Sequence, residues 1–338
     1  MRVLSAKQPV LRLDAIDWKI LFEVKDNIRQ PLTKVAETCL LSRQAVEYRL
    51  KQMSINKLIT GSRAVINTRL LGYKSYHVLI ETHSPEDEKE LIARAQKNDA
   101  VNLIILYSGK YNLEISIFAK DEEEFMQKYI RLVDKIKVRK DLFLTLRGTL
   151  VGRVLPEQHI PLKKKSEMTS IETAHKPKEI EVDLQDLQLM YQLSQEATRT
   201  NTSLAEELKL SKDTVKYRIK QLEESGLIRE YRPVINYSAL GLSVNTLLLR
   251  VDYRMDEVQK LETFLRSNLS VLWCAKAFGY YDYILYVITR NLDEFHELIG
   301  QIKEKFSELV KTYEVLFAHE ELKYEFMSKS IVKEFRKN

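Results

Sequence analysis

The sequence predicts an α+β fold in two tandem units, each with helices first and an alternating strand–helix sandwich second. Three observations carry that expectation: a long internal duplication, helical periodicity opening each copy, and strand-like alternation in the remainder. Placing Asp14 over Asp183, an offset of 169, aligns the chain with itself without a gap as far as Gly72 over Gly241. About 20 of about 59 positions are then identical. The landmarks include Ala36-Glu37 with Ala205-Glu206, Leu41-Ser42 with Leu210-Ser211, Tyr48-Arg49 with Tyr217-Arg218, and Val65-Ile66-Asn67 with Val234-Ile235-Asn236. Further on, Gly109 matches Gly279 and Phe125 matches Phe295 at an offset of 170.

Each copy opens on a helix. Asp14 and Asp183 are good N-caps, and Asp17 and Asp186 place negative charge at the positive helix start. A short second helix carries Val35-Ala36 or Leu204-Ala205, and Ser42 or Ser211 caps a third. On that third helix Val46, Leu50 and Met53 form an apolar stripe, matched by Val215, Ile219 and Leu222. Ser225-Gly226-Leu227-Ile228 reads as a glycine-ended helix running into a strand, where the first copy has Asn56-Lys57. Residues 58–66 and 227–235 are expected to form a two-stranded wing in each copy, which completes a winged helix-turn-helix. Strands at 74–82, 101–107, 113–119 and 141–147, with helices near 86–97 and 121–136, then give a ferredoxin-like βαββαβ sandwich, repeated from residue 243 onward. The expected boundaries are 10–72 and 181–241 for the winged helices and 73–153 and 242–326 for the sandwiches. A linker takes 154–180, with three prolines and a lysine run, and a tail takes 327–338.

Composition narrows the function classes. The 338 residues carry 54 basic and 48 acidic side chains, a net charge of +6, which permits an anionic partner without demanding one. Cys39 and Cys274 are isolated in apolar surroundings, so a reducing compartment is expected and a disulfide framework is not. No run approaches membrane-span length and the first residues have no signal-peptide core, so a cytoplasmic protein without a membrane partner is expected. The nine glycines form no phosphate-binding loop, and His77, His83, His159, His175, His296 and His319 show no metal-ligand spacing. No catalytic, metal or cofactor site is expected.

A recognition helix keeps one face for the core and offers the other to the major groove. With Val46 at the core centre, Gln44, Glu47, Tyr48 and Lys51 lie outward or on the flank, and Asp213, Lys216, Tyr217 and Lys220 take those places in the second copy. Arg43, Lys212, Arg49, Arg218, Arg63 and Arg232 are the phosphate candidates. Arg49 and Arg218 lie nearer the core edge, where a structural salt bridge is equally open. In the sandwiches, Gly109, Tyr111 and Asn112, and their counterparts Gly279, Tyr281 and Asp282, sit between paired strands. Glycine there suits a hairpin turn, or a backbone-lined pocket for a small effector.

With these residues in hand, each unit resembles the Lrp/AsnC (leucine-responsive, or feast/famine) family of regulators. In copy two the resemblance rests on Asp183, Asp186, Leu204-Ala205-Glu206, Leu210-Ser211, Val215, Arg218-Ile219, Leu222-Glu223, Gly226-Leu227-Ile228, Gly279, Tyr281 and Asp282. Copy one departs at Met53-Ser54, Lys57 and Asn112, which puts its wing geometry and ligand site in question. The resemblance implies self-association through the sandwich domains, binding of double-stranded DNA, and an amino-acid effector near the turns. A tandem chain is then a built-in pseudo-dimer with two non-identical readers.

Siroheme decarboxylases are similar to this family, and some also fuse two units around a tetrapyrrole cleft. Where they carry a histidine-asparagine-tyrosine run this chain has Ile104-Ile105-Leu106-Tyr107 and Cys274-Ala275-Lys276-Ala277, where they pair arginines Arg229 is followed by Glu230, and only Tyr111-Asn112 echoes the enzyme pattern. A co-regulator that assembles through its sandwiches without reading DNA is the third reading.

Overall fold

The computed structural model describes residues 2–4, 10–160, 181–252 and 255–336. After a short strand β1 (Arg2–Val3), copy one opens with helices α1 (Ala15–Val24), α2 (Leu32–Cys39) and α3 (Arg43–Ile55). Copy two repeats them as α6 (Leu184–Gln195), α7 (Asn201–Leu208) and α8 (Lys212–Glu224). The expected caps form: Asp14 and Asp17 exchange backbone–carboxylate hydrogen bonds, as do Asp183 and Asp186. The Ser42 and Ser211 hydroxyls accept from the backbone N–H groups of Ala45 and Thr214. Gly226 is in the left-handed region at φ 74°, and its counterpart Lys57 is forced there at φ 56°, a strained choice for a residue with a Cβ.

The wings depart from expectation. Each copy contributes one strand, β2 (Ile59–Ile66) or β7 (Ile228–Ile235), and the two pair antiparallel with each other. Eight residues of alternating burial hold one half-buried strand and no turn, so the partner strand comes from the other copy. Ile59 faces Ile235 and Ile66 faces Ile228. Those two pairs exchange under the duplication, as residues do across a twofold dimer axis.

The sandwiches follow as β3 (Lys74–Thr82), α4 (Pro85–Lys97), β4 (Val101–Ser108), β5 (Leu113–Ala119), α5 (Glu122–Val133) and β6 (Val138–Gly152). Copy two matches them with β8 (Ser243–Val251), α9 (Met255–Ser267), β9 (Val271–Gly279), β10 (Tyr283–Thr289), α10 (Leu292–Phe306) and β11 (Val310–Tyr324). The last strands are twice as long as expected. One half of β6 pairs with β3 and the other crosses to β9, while β11 pairs with β8 and crosses to β4. The order β11-β4-β5-β3-β6-β9-β10-β8 therefore closes back on β11 as an antiparallel barrel. Helices α4 and α5 cover one outer core, α9 and α10 the other, and a third core fills the barrel between them.

The heads cross over. Trp18, Leu21, Met53 and Leu58 of head one pack with Tyr237, Leu242 and Val244 of copy two. Leu187, Met190 and Leu222 of head two pack with Ala64, Ile66, Tyr73 and Phe118 of copy one. Two boundary expectations are corrected as well. Of the expected linker, Val154 and Leu155 are buried in the barrel core, and 161–180 lie outside the described residues. The expected tail holds a helix, α11 (Lys329–Phe335), whose Ile331 and Val332 pack on head two while Glu334 accepts from the Tyr73 hydroxyl at 2.7 Å.

Candidate nucleic-acid interface and the cavity beneath it

Helices α3 and α8 bury Val46 and Met53, and Val215, Ile219 and Leu222, against their heads. That leaves Arg43, Gln44, Glu47, Tyr48 and Lys51 exposed on one, and Lys212, Asp213, Lys216, Tyr217 and Lys220 on the other. Tyr48 and Tyr217 are 63% and 64% exposed. Four of the phosphate candidates do something else. Arg49 reaches back to Asp14 and Asp17, each at 2.7 Å, and Arg218 to Asp183 at 2.9 Å and Asp186 at 2.8 Å. These arginines anchor the recognition helix to the capping box of the first helix. The Asp17 backbone N–H and then Arg49 hold the Asp14 carboxyl below its ordinary range. Burial works against the charge on Asp183, but the Asp186 N–H and Arg218 outweigh it and lower that carboxyl too.

Arg63 and Arg232 turn inward instead of reaching out as a wing would. They stand directly opposite each other in the β2–β7 pair, at positions equivalent under the duplication. Arg63 donates to the Ser62 and Gln195 carbonyls, and Arg232 is paired with Glu230. Both line a cavity of about 90 Å³ between the wing strands and the barrel mouth, together with Thr246, Trp273, Tyr286 and Glu321.

Below that cavity, inside the barrel, lies a polar cluster the sequence reading missed. The Glu114 carboxylate, fully buried, meets His77 Nδ1 at 2.6 Å and accepts from the hydroxyls of Tyr107 and, at 3.1 Å, Tyr286. Tyr107 also lies 2.8 Å from the Thr246 hydroxyl. Burial, and then the Glu114 charge, push both phenols well above their ordinary value. A carboxylate inside the apolar run Leu113–Ala119 was the available signal. The cluster is one-sided: His77, Tyr107 and Glu114 correspond to Thr246, Ala277 and Ile284 in copy two.

The two turns expected from the sequence to offer either a hairpin or an effector pocket hold strands together. Gly279 has φ 150°, and a Cβ there would run into the Phe143 carbonyl and come within 3.0 Å of the Leu144 side chain. Gly109 (φ 145°) sits against Leu316 and Val315. Tyr111 and Tyr281 are buried in the barrel core. The Asn112 side chain accepts from Thr82 N–H at 3.0 Å and donates to Thr82 Oγ1 at 2.9 Å, while Asp282 accepts from Val251 N–H at 2.8 Å. Another residue missed by sequence reading is Arg29, whose guanidinium enters head two to donate to the carbonyls of Ala197 and Arg199. Among the described residues no cluster of three or more potential metal ligands occurs, and no helix is long and apolar enough to cross a membrane.

Paired winged helices on a shared strand–helix barrel define the class: a winged-helix protein with a ligand-binding domain. Family models agree. An AsnC-type helix-turn-helix domain matches residues 13–54, a winged helix-turn-helix DNA-binding domain matches 182–229, and an Lrp/AsnC ligand-binding domain matches 246–327. The proline dehydrogenase transcriptional activator of Rhodobacter capsulatus is 32% identical over 122 residues, which is 36% of this chain and 79% of that protein. The leucine-responsive regulatory protein of Rhizobium meliloti is 28% identical over 123 residues, 36% of this chain and 78% of its own length. The chain belongs to the Lrp/AsnC family, and its function class is that of a DNA-binding transcriptional regulator. Among solved structures, the siroheme decarboxylase NirDL superposes over 96% of this chain and 98% of its own with a TM-score of 0.60, at 15% identity, a likeness of fold alone.

Proposed function

We propose that this chain acts as a covalent pseudo-dimer that reads one asymmetric DNA site with two unlike helices, under the control of a small effector at the sandwich-domain interface. The dyad-like register of β2 on β7 is the observation that carries it, because it joins the heads as a symmetric dimer would while keeping both on one chain. On α3 the readers are Arg43, Gln44, Glu47, Tyr48 and Lys51; on α8 they are Lys212, Asp213, Lys216, Tyr217 and Lys220. Unlike side chains at equivalent positions select unlike half-sites.

The electrostatic grip falls to head one. Residues 13–67 carry nine basic and six acidic side chains, and the equivalent 182–236 carry eight and nine. Copy one departs further from the family pattern, yet its head carries the larger formal positive charge, although the exposed face of α8 has three lysines (Lys212, Lys216, Lys220) where that of α3 has Arg43 and Lys51. Selection from random duplexes should return non-palindromic sites, and perfect palindromes would overturn the reading. Reversing Arg43 and Lys51 to glutamate should weaken binding and flatten its salt dependence more than reversing Lys212 and Lys216. The opposite ranking would make head two the principal reader, and no loss in either variant would favour a co-regulator that does not touch DNA. An effector is tested by whether amino acids change the affinity for the selected site.

The full-length fold likeness raises a second reading, tetrapyrrole chemistry in the barrel. The cavity speaks against it: a pocket of about 150 Å³ accommodates benzene, so this one, at about 90 Å³, admits no macrocycle in the form seen. The absence of a siroheme absorbance shift on mixing checks this.

A further inference from the structure

We propose that a cleft on the outer face of sandwich two, between α10 and the first half of β11, binds an amphipathic monocarboxylate. Such a ligand has an alkyl or aryl body, a single carboxylate and no ammonium group. The cleft lies among the outer-core residues of copy two, away from the barrel interior and the reading helices. The inference goes beyond the function proposed above and does not depend on it.

The two copies differ sharply at this seam between helix and sheet. In copy one it is closed by aromatic rings. Tyr76 stacks on Phe125 with centroids 4.6 Å apart, Tyr129 lies 6.1 Å from Phe125, and Phe143 meets Tyr129 edge-on at 5.2 Å. Tyr129 is only 3% exposed, and its hydroxyl donates to Asp141 at 2.9 Å. The duplication and the strand ladders put Asn245, Phe295, Ile299 and Val315 in the places of those four rings, and Tyr313 in the place of Asp141. Three of the four rings are thus replaced by smaller side chains, and interiors do not leave such space unfilled without consequence. Beside Ile299 there is a cleft of about 430 Å³, within the range of pockets that take small molecules. Leu247, Leu249 and Ile302, all buried, form its floor, and Ile299, Val310 and Tyr313 its walls. An apolar body the size of a ring or a short chain fits that lining.

The mouth of the cleft sets the charge. Lys303 stands where copy one has Val133, and it is exposed. Its ammonium lies 5.0 Å from the Tyr313 ring centroid and, among the described residues, meets no carboxylate. An ammonium over a ring face keeps N–H donors for an acceptor. Lys311 also lines the cleft but is paired with Asp252 at 3.4 Å, so the contact to an anion falls to Lys303. The cleft borders the negative end of α10. There Lys303 and Lys305 in the last turn set two full charges against about half a charge of helix dipole. A carboxylate is therefore held, whereas an added ammonium group would be brought against the lysines.

The test titrates octanoate and 3-phenylpropionate into the full chain by calorimetry. The alcohol, the amine and the α-amino acid of each skeleton serve as controls, all below the concentrations at which they aggregate. We expect saturable binding of at least one of the two carboxylates, and about tenfold or more weaker binding of each of its controls. Ile299→Phe, which restores a ring where copy one has Tyr129, should abolish that binding. Lys303→Glu should weaken it about tenfold or more, and its exposed position keeps the test decisive should the first variant not fold. No saturable binding, a control that binds as tightly as its carboxylate, or binding that survives either folded variant unchanged overturns the proposal.

Discussion

In copy one the barrel interior holds a carboxylate, an imidazole and a phenol at Glu114, His77 and Tyr107; in copy two the same positions are Ile284, Thr246 and Ala277. The heads have diverged as well, one with a basic excess and the other slightly acidic. Yet the capping boxes, the arginine anchors and the wing register are duplicated with little change. Features that set the geometry of the dyad must be present twice, because each is half of an interface. A buried polar cluster or an electrostatic grip can reside in one half, and a covalent tandem lets the other half differ.

The comparison is broken most severely at Glu114. Glu114→Ala removes the acceptor for Tyr107, Tyr286 and His77 and should cost about 4 kcal/mol, whereas Ile284→Val at the matching position should cost about 1 kcal/mol. Urea denaturation followed by circular dichroism measures both, and equal losses would mean the cluster is not special. Next come the two turn glycines. Gly279→Ala drives a Cβ into overlap with the rigid Phe143 carbonyl and should cost about 3 kcal/mol; Gly109→Ala brings one only to 3.2 Å from the Leu316 side chain and 3.3 Å from the Val315 carbonyl, a tight contact without overlap, and should cost about half that.

The anchors should behave alike. Asp14 and Asp183 have lowered folded-state values, so their contribution is complete above the ordinary carboxylate range and is lost as pH falls through the folded value. Melting temperature should therefore drop below about pH 4. Arg49→Met and Arg218→Met should each flatten part of that drop and cost about 0.5–1 kcal/mol at neutral pH. A pH profile unchanged in one variant but not the other would show that the heads differ here too. The smallest effect is at the helix–strand turn: Lys57→Gly relieves a left-handed backbone and should stabilise by about 0.5–1 kcal/mol, which thermal melting can resolve.

Much of this was legible from the chain alone. Helices, caps and the strand–helix order follow from periodicities and spacings only a few residues long, and the duplication fixed which residues are equivalent. Arg49 and Arg218 were readable as far as two alternatives, since their place at the core edge was clear but their partners, some 32 residues away, were not. The inward turn of Arg63 and Arg232 was not readable, because an outward wing and an inter-copy strand pair have the same local pattern. The same holds for the second halves of β6 and β11, for α11, and for the 90 Å³ cavity. The sequence by itself determined the repeated unit, its capped helices and its core faces, since each depends on neighbours within a turn or a strand. Only the tertiary structure decided which copy supplies each partner, which arginines stay exposed and which face the barrel, because those outcomes depend on contacts across the dyad that no local pattern encodes.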